Sequence, residues 1–232
     1  MMSAVVLIAT MLDPAATVAQ RNDACFALRG DRSPEAVEAM QRALHDKVVR
    51  TCAARDLREA VALDPLLASL TDDDADIRIA AARELGELRD PKALALLGSA
   101  ALDSNMMVAG AAIGALAAYQ SPAALPYLLR AAEQPTVAGI NALEHAARSH
   151  EPAVLPLARR AIARADVAAQ LIAITILGDL GDASDLPKLR ELAALTDPVY
   201  SRGRGFGFMP PIDLGRAAQN AIAKIARTEP RP

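Results

Sequence analysis

Apolar positions in this chain recur with a helical period almost throughout. The clearest stretch is 75–91. Ile77, Ala81, Leu85 and Leu88 are spaced by four, four and three residues, which puts them on one face of a helix. Asp72, Asp73 and Asp74 precede it, where carboxylates cap free N–H groups and meet the positive end of the helix dipole. Asp74 and Arg78 are four apart, in the order that favours an ion pair. Asp90-Pro91 ends this helix and starts another.

The same grammar repeats. A polar residue followed by proline occurs at Ser33-Pro34, Asp64-Pro65, Asp90-Pro91, Ser121-Pro122 and Glu151-Pro152, and Asp182-Ala183 continues the series. The steps are 31, 26, 31, 30 and 31 residues. A second marker keeps the same phase: Leu94, Leu125, Leu155 and Leu186 are separated by 31, 30 and 31. Each unit divides into two helices. The first helices are predicted at 34–45, 65–71, 91–102, 122–133, 152–164 and 183–195, and the second at 47–61, 75–88, 105–119, 136–148, 167–180 and 213–227. Pro126, Pro156 and Pro187 fall inside first helices, where mild kinks are expected. A short helix pair cannot bury its apolar face alone. Stacked pairs can, so an all-α superhelix of about six hairpins is predicted.

Composition agrees. The 232 residues are 53% hydrophobic but 3% aromatic, with no Trp, which suits closely packed helices. The net charge of −3 argues against a protein built to grip nucleic-acid phosphates.

The Asp-Pro start, the Asp76-Ile77-Arg78 opening and the Ala-x-x-Leu-Gly-x-Leu run at 82–88 resemble HEAT repeats, most of all the short bacterial kind of the phycobiliprotein lyases. The run 173–182 echoes it. The resemblance covers about residues 33–228. It implies an α-solenoid and a scaffold or adaptor role, and carries no catalytic residue.

The N-terminus departs from the repeat. Residues 4–12 are an apolar run, and Thr17 and Ala19 are small residues at the spacing of a signal-peptidase site. No Lys or Arg precedes the run, so residues 1–19 read either as a signal peptide or as an ordinary helix. The first implies export to the periplasm or medium, the second a cytoplasmic protein. The run is too short to span a membrane. Residues 20–32 form a lead segment before the repeat domain at 33–232. Cys25 and Cys52 are too few for a zinc site. They are either two buried thiols or, in an exported chain, one disulfide.

Three features are candidate contacts for a protein or peptide partner. Residues 196–212 form a long loop carrying Arg202, Arg204, Phe206 and Phe208 among glycines. The helix at 105–119 lies in a stretch without charge between Asp103 and Arg130. Met106, Met107 and Tyr119 are expected there as an apolar patch, with Gly110 and Gly114 allowing a neighbouring backbone to approach. Arg50 and Arg78 belong to a basic end of the groove.

An enzyme is not expected, and neither a cofactor nor a metal. Of His45, His145 and His150, only His150-Glu151 has the His-Glu order of HEAT-repeat di-iron hydroxylases, which need several such pairs. Two alternatives stand beside a binding scaffold: an accessory factor or lyase acting on a tetrapyrrole-bearing protein, and a structural spacer in the cell envelope.

Overall fold

The computed structural model describes residues 2–195 and 212–228. Fourteen α-helices and no β-strand ladder are present among the described residues. They fall into two compact units that meet between Tyr127 and Leu128.

The first unit holds four helix pairs: α1 (Ala4–Leu12) with α2 (Val18–Ala27), α3 (Pro34–Ala43) with α4 (Arg50–Glu59), α5 (Leu63–Ser69) with α6 (Ala75–Leu88), and α7 (Leu94–Ala100) with α8 (Met106–Ala118). The second helices α2, α4, α6 and α8 pack in file. α9 (Leu125–Ala132) contains the boundary between units. The second unit continues with α10 (Val137–Ala147), then α11 (Leu155–Ala161) with α12 (Val167–Leu180), and α13 (Leu186–Ala193) with α14 (Leu214–Thr228). Here α10, α12 and α14 form the file. Each unit is thus a stack of helical hairpins, the solenoid class expected from the repeat.

The predicted faces are the buried ones. Ile77 and Leu85 are fully covered and Ala81 nearly so. Alanine dominates the core, with Met40, Leu57, Leu66, Leu97, Ile113 and Leu116 filling the larger spaces of the first unit. Small side chains bring helix axes close. An ideal Cβ on Gly86 would lie 2.8 Å from Cα of Ala115, so α6 and α8 touch backbone to backbone there. Gly178 does the same in the second unit, 2.9 Å from Cα of Ala221.

The prolines act differently from expectation. Each later first helix begins as one 3-10 turn, at Pro91–Ala93, Pro122–Ala124 and Pro152–Val154, with Ala183–Asp185 completing the series. An α-helix then restarts at Leu94, Leu125, Leu155 or Leu186. Pro126, Pro156 and Pro187 therefore stand in the first turn of a new α-helix, where no intrahelical N–H is missed. Second helices are capped in register, by Asp74, Asn105, Thr136 and Asp166.

Four second helices are followed by a non-glycine residue in the left-handed region: Val61 (φ 57°), Arg89 (53°), Gln120 (47°) and His150 (52°). Val61 is the most strained because its side chain is β-branched, and it is 57% exposed, so little packing offsets the cost. Val61→Gly should stabilise the protein by about 1 kcal/mol, read as a higher midpoint in thermal denaturation.

The N-terminal residues that resemble a leader form α1, which packs on α2 and α3. Met11 is fully buried, and its carbonyl accepts a 2.9 Å bond from Nε of the buried Arg21. The structure thus adds a helix pair ahead of those read from the repeat.

Candidate functional site

The arginines at the start of the second helices bridge neighbouring repeats. Arg50 is 7% exposed. It donates to the Leu44 carbonyl at 2.7 Å, to Asp74 at 2.6 Å and to Asp76 at 2.9 Å. Arg78 donates to the carbonyls of Asp72 and Asp73 and, at 2.9 Å, to Asp103. Arg21 repeats the pattern one step earlier, with the Met11 carbonyl and Asp46. Each guanidinium ties the turn before its own helix to the carboxylate that opens the next second helix. Burial pulls the Asp103 carboxyl up, but Arg78 and the Asn105 N–H outweigh it and hold it below the usual range.

This corrects two expectations. Asp74 pairs with Arg50 of the preceding repeat rather than with Arg78 on its own helix. Arg50 and Arg78 have their donors engaged inside the molecule, so they do not form a basic end of a groove. The ladder stops at α8, where Ala109 occupies the position four after the Asn105 cap.

Met106 and Met107 stand at the start of α8, 63% and 58% exposed. Tyr119 does not join them in an open patch. It is half-buried, and its hydroxyl donates to the Asp90 carbonyl at 2.7 Å. Burial, then the nearby Asp90 charge, pushes its pKa up to about 12. Gly110 and Gly114 are also corrected: an added Cβ on either would meet nothing within 4 Å. They smooth an open face instead of admitting a backbone. Arg202, Arg204, Phe206 and Phe208 lie outside the described residues.

Sequence reasoning missed a groove in the second unit. It has a volume of about 510 Å³ and runs along α10 and α12. Leu171, Ile172, Ile176 and Leu180 of α12, Ala147 of α10 and Ile212 supply its apolar surface. Glu144, Arg148 and Asp179 bring charge to it. Its volume is in the range of small-ligand and side-chain pockets. The signal was available: 171, 172, 175, 176, 179 and 180 follow helical spacing on α12. It was obscured because α12 is apolar nearly all round, so no stripe stood out.

A second cluster lies in the first unit. Cys25 and Cys52 are joined as a disulfide, one repeat apart in sequence. The carboxyl of Asp56, fully buried, faces both sulfurs. Asp56 was not singled out in the sequence, although Cys52 and Asp56 are four apart on one helix face.

Residues 63–146 match the family model described as HEAT repeats. No curated protein matches the chain. Solved structures that resemble it include human deoxyhypusine hydroxylase in complex with glycerol, at 16% identity over 97% of this chain and 96% of that one, with a TM-score of 0.42. The complex of CpcE and CpcF of phycocyanin lyase from Nostoc sp. PCC7120 gives 21% identity over 97% and 95%, with a TM-score of 0.45. An engineered protein gives 17% over 98% of each chain, with a TM-score of 0.35. At these identities and scores the likenesses have no bearing on activity. The matched segment spans three of the capped second helices and the Arg78–Asp103 bridge, and residues 63–146 of this chain are HEAT repeats.

Proposed function

We propose that the protein is a non-catalytic scaffold that holds a protein or peptide partner on the face made by its second helices. The observation that carries this reading is the apolar groove along α10 and α12, open to solvent and edged by Glu144, Arg148 and Asp179. Such a surface takes one or two large apolar side chains of a partner, while the charges fix its direction. The exposed Met106 and Met107 are a second, adaptable contact in the first unit. The segment 201–211, with Arg202, Arg204, Phe206 and Phe208, is a third contact in this proposal. Among the described residues no helix is long and apolar enough to cross a membrane. Export is part of the proposal and is supported by the Cys25–Cys52 bridge, because disulfides persist outside the reducing cytosol.

The test is crosslinking affinity capture from cell-envelope extract with the full chain, run beside Leu171→Asp/Ile172→Asp and beside Arg204→Ala/Phe206→Ala/Phe208→Ala. A partner captured by the wild type should be lost by the first variant, with affinity reduced at least tenfold when that partner is purified, the expected size for deleting an anchor contact of about 2 kcal/mol. Undiminished capture by the groove variant would overturn the groove as the site. Undiminished capture by the other variant would remove the loop from the proposal.

A further inference from the structure

Asp56 sits where an anion has little reason to be. It is fully buried on α4, and its Oδ2 lies 3.5 Å from Sγ of Cys25 and 3.5 Å from Sγ of Cys52. Its Oδ1 makes no hydrogen bond. The nearest cation is Arg55, whose Nε is 3.6 Å from Oδ1, beyond hydrogen-bond length. Arg55 also reaches Sγ of Cys52 with Nη2 at 3.5 Å, and its guanidinium lies 4.5 Å over the ring of the half-exposed Phe26. Disulfide sulfurs carry no hydrogen, so they offer a carboxylate nothing in return for its lost hydration. A carboxylic acid can point its O–H at them. Two thiols, conversely, can donate to a carboxylate. The proton on Asp56 and the bond between the cysteines are therefore coupled.

We propose that the Cys25–Cys52 disulfide is a thiol-exchange centre, reduced by a dithiol, in which Asp56 hands its proton to the departing sulfur of Cys25 and Arg55 steadies the sulfur of Cys52. Cys25 is fully covered, whereas Cys52 retains 6% exposure and has the guanidinium at its sulfur. A thiolate of the dithiol attacks Sγ of Cys52. The new sulfur–sulfur bond forms as the Cys25–Cys52 bond breaks, and the electron pair leaves on Sγ of Cys25. Because Cys25 is fully covered, a thiolate there is disfavoured, and that sulfur takes the Asp56 proton and becomes a thiol. The second thiolate of the reductant then attacks its own sulfur in the mixed disulfide. The reductant departs as a disulfide, and the sulfur of Cys52, steadied by Arg55 as it leaves, takes up one of the dithiol protons, so that two thiols face the Asp56 carboxylate. Two electrons pass to the cysteine pair, and the other dithiol proton goes to solvent.

The charged groups acting on Asp56 are Arg55 and Glu59 from α4 and Arg29 from the turn after α2. α3, α5 and α6 also pack on α4, and among the described residues none brings a cation within ion-pairing distance of Asp56. Burial pushes the Asp56 carboxyl up to about 6, with Glu59 adding to the rise and Arg55 and Arg29 opposing it. The proton needed by Cys25 is thus present below that pH and lost above it.

The experiment measures reduction of the full-length oxidised protein by dithiothreitol across pH, with each rate divided by the concentration of dithiothreitol thiolate. For the wild type this normalised rate should fall at least tenfold between about pH 6 and pH 8, since a positioned general acid contributes more than that and the carboxyl is mostly ionised by the upper pH. For Asp56→Asn it should be flat and low. A flat wild-type profile, or an unchanged slope in Asp56→Asn, would overturn the proposal. A second measurement uses wild-type protein alone. Trapping with glutathione and mapping by mass spectrometry should place the mixed disulfide on Cys52 with Cys25 as a free thiol. An adduct on Cys25, or reduction seen only in denaturant, would contradict it.

Discussion

Gly86→Val should destabilise the first unit strongly, costing about 3 kcal/mol, while Gly110→Ala should be neutral or stabilising by about 0.5 kcal/mol. Both glycines stand in second helices, and intrinsic propensity alone would rank both changes as helpful. The difference is what a Cβ meets. At Gly86 it meets the Cα and Cβ of Ala115 at 2.8 Å, and backbone cannot step aside as a side-chain tip can. A branched residue would force α6 from α8, along the row that holds the second helices together. At Gly110 the space is open. Urea denaturation of the two variants and wild type checks this. Equal stability of all three would mean that α6 and α8 do not touch as described.

Arg50→Met is the second large effect, with an expected loss of about 2–3 kcal/mol. Methionine keeps much of the stem's volume, so most of the loss comes from bonds. The Leu44 carbonyl, 2.7 Å from Nε, is left without that donor, and Asp74 and Asp76 lose their shared cation. The figure is set below that for a fully buried pair because the Asp74 and Asp76 side chains are 39% and 67% exposed, and water screens part of the attraction. Acid dependence gives a second readout. The Asp76 backbone N–H holds the Asp74 carboxyl below its usual range, against burial, and Arg50 adds to the depression. A depressed carboxyl contributes stability that is present above its unfolded pKa and lost as pH falls through its folded one. The variant should therefore lose less on acidification below about pH 4 than the wild type does. A lysine there would keep the charge but not the fork that serves two carboxylates and a carbonyl together, so Arg50→Lys should recover only part of the loss.

The repeat was legible because its signals are local. A cap, a proline and an apolar face at helical spacing each act within a few residues, and all recur with the period of the hairpin. Arg50 and Arg78 were legible as basic residues near the starts of consecutive second helices, but their role was not. Their carboxylate partners stand 24 to 26 residues further on, so the pairing exists only after one hairpin stacks on the next. Read on one helix, Asp74 and Arg78 looked like partners. The glycines were misjudged for the same reason. Gly110 and Gly114 lie in a stretch without charge and drew attention, whereas Gly86 meets its neighbour because of where Ala115 arrives. The N-terminal pair was hidden by ambiguity, since a short apolar run before small residues reads equally as a leader and as a helix. The groove was hidden because α12 is apolar on nearly every side, and only the packing of Ala169, Ala173, Ile174 and Leu177 inward leaves Leu171 and Ile172 partly outward.

The central claim is that a partner lies in the groove along α10 and α12. Site-specific photocrosslinking in cells tests it most directly, with the photoreactive residue placed at the exposed Thr175 of α12 and, as a control, at the exposed Lys92 in the first unit. The account predicts one discrete protein adduct from position 175, absent from position 92 and abolished when Leu171→Asp/Ile172→Asp is combined with the label. Adducts of equal yield from both positions, or an adduct at 175 that survives the groove substitutions, would contradict it.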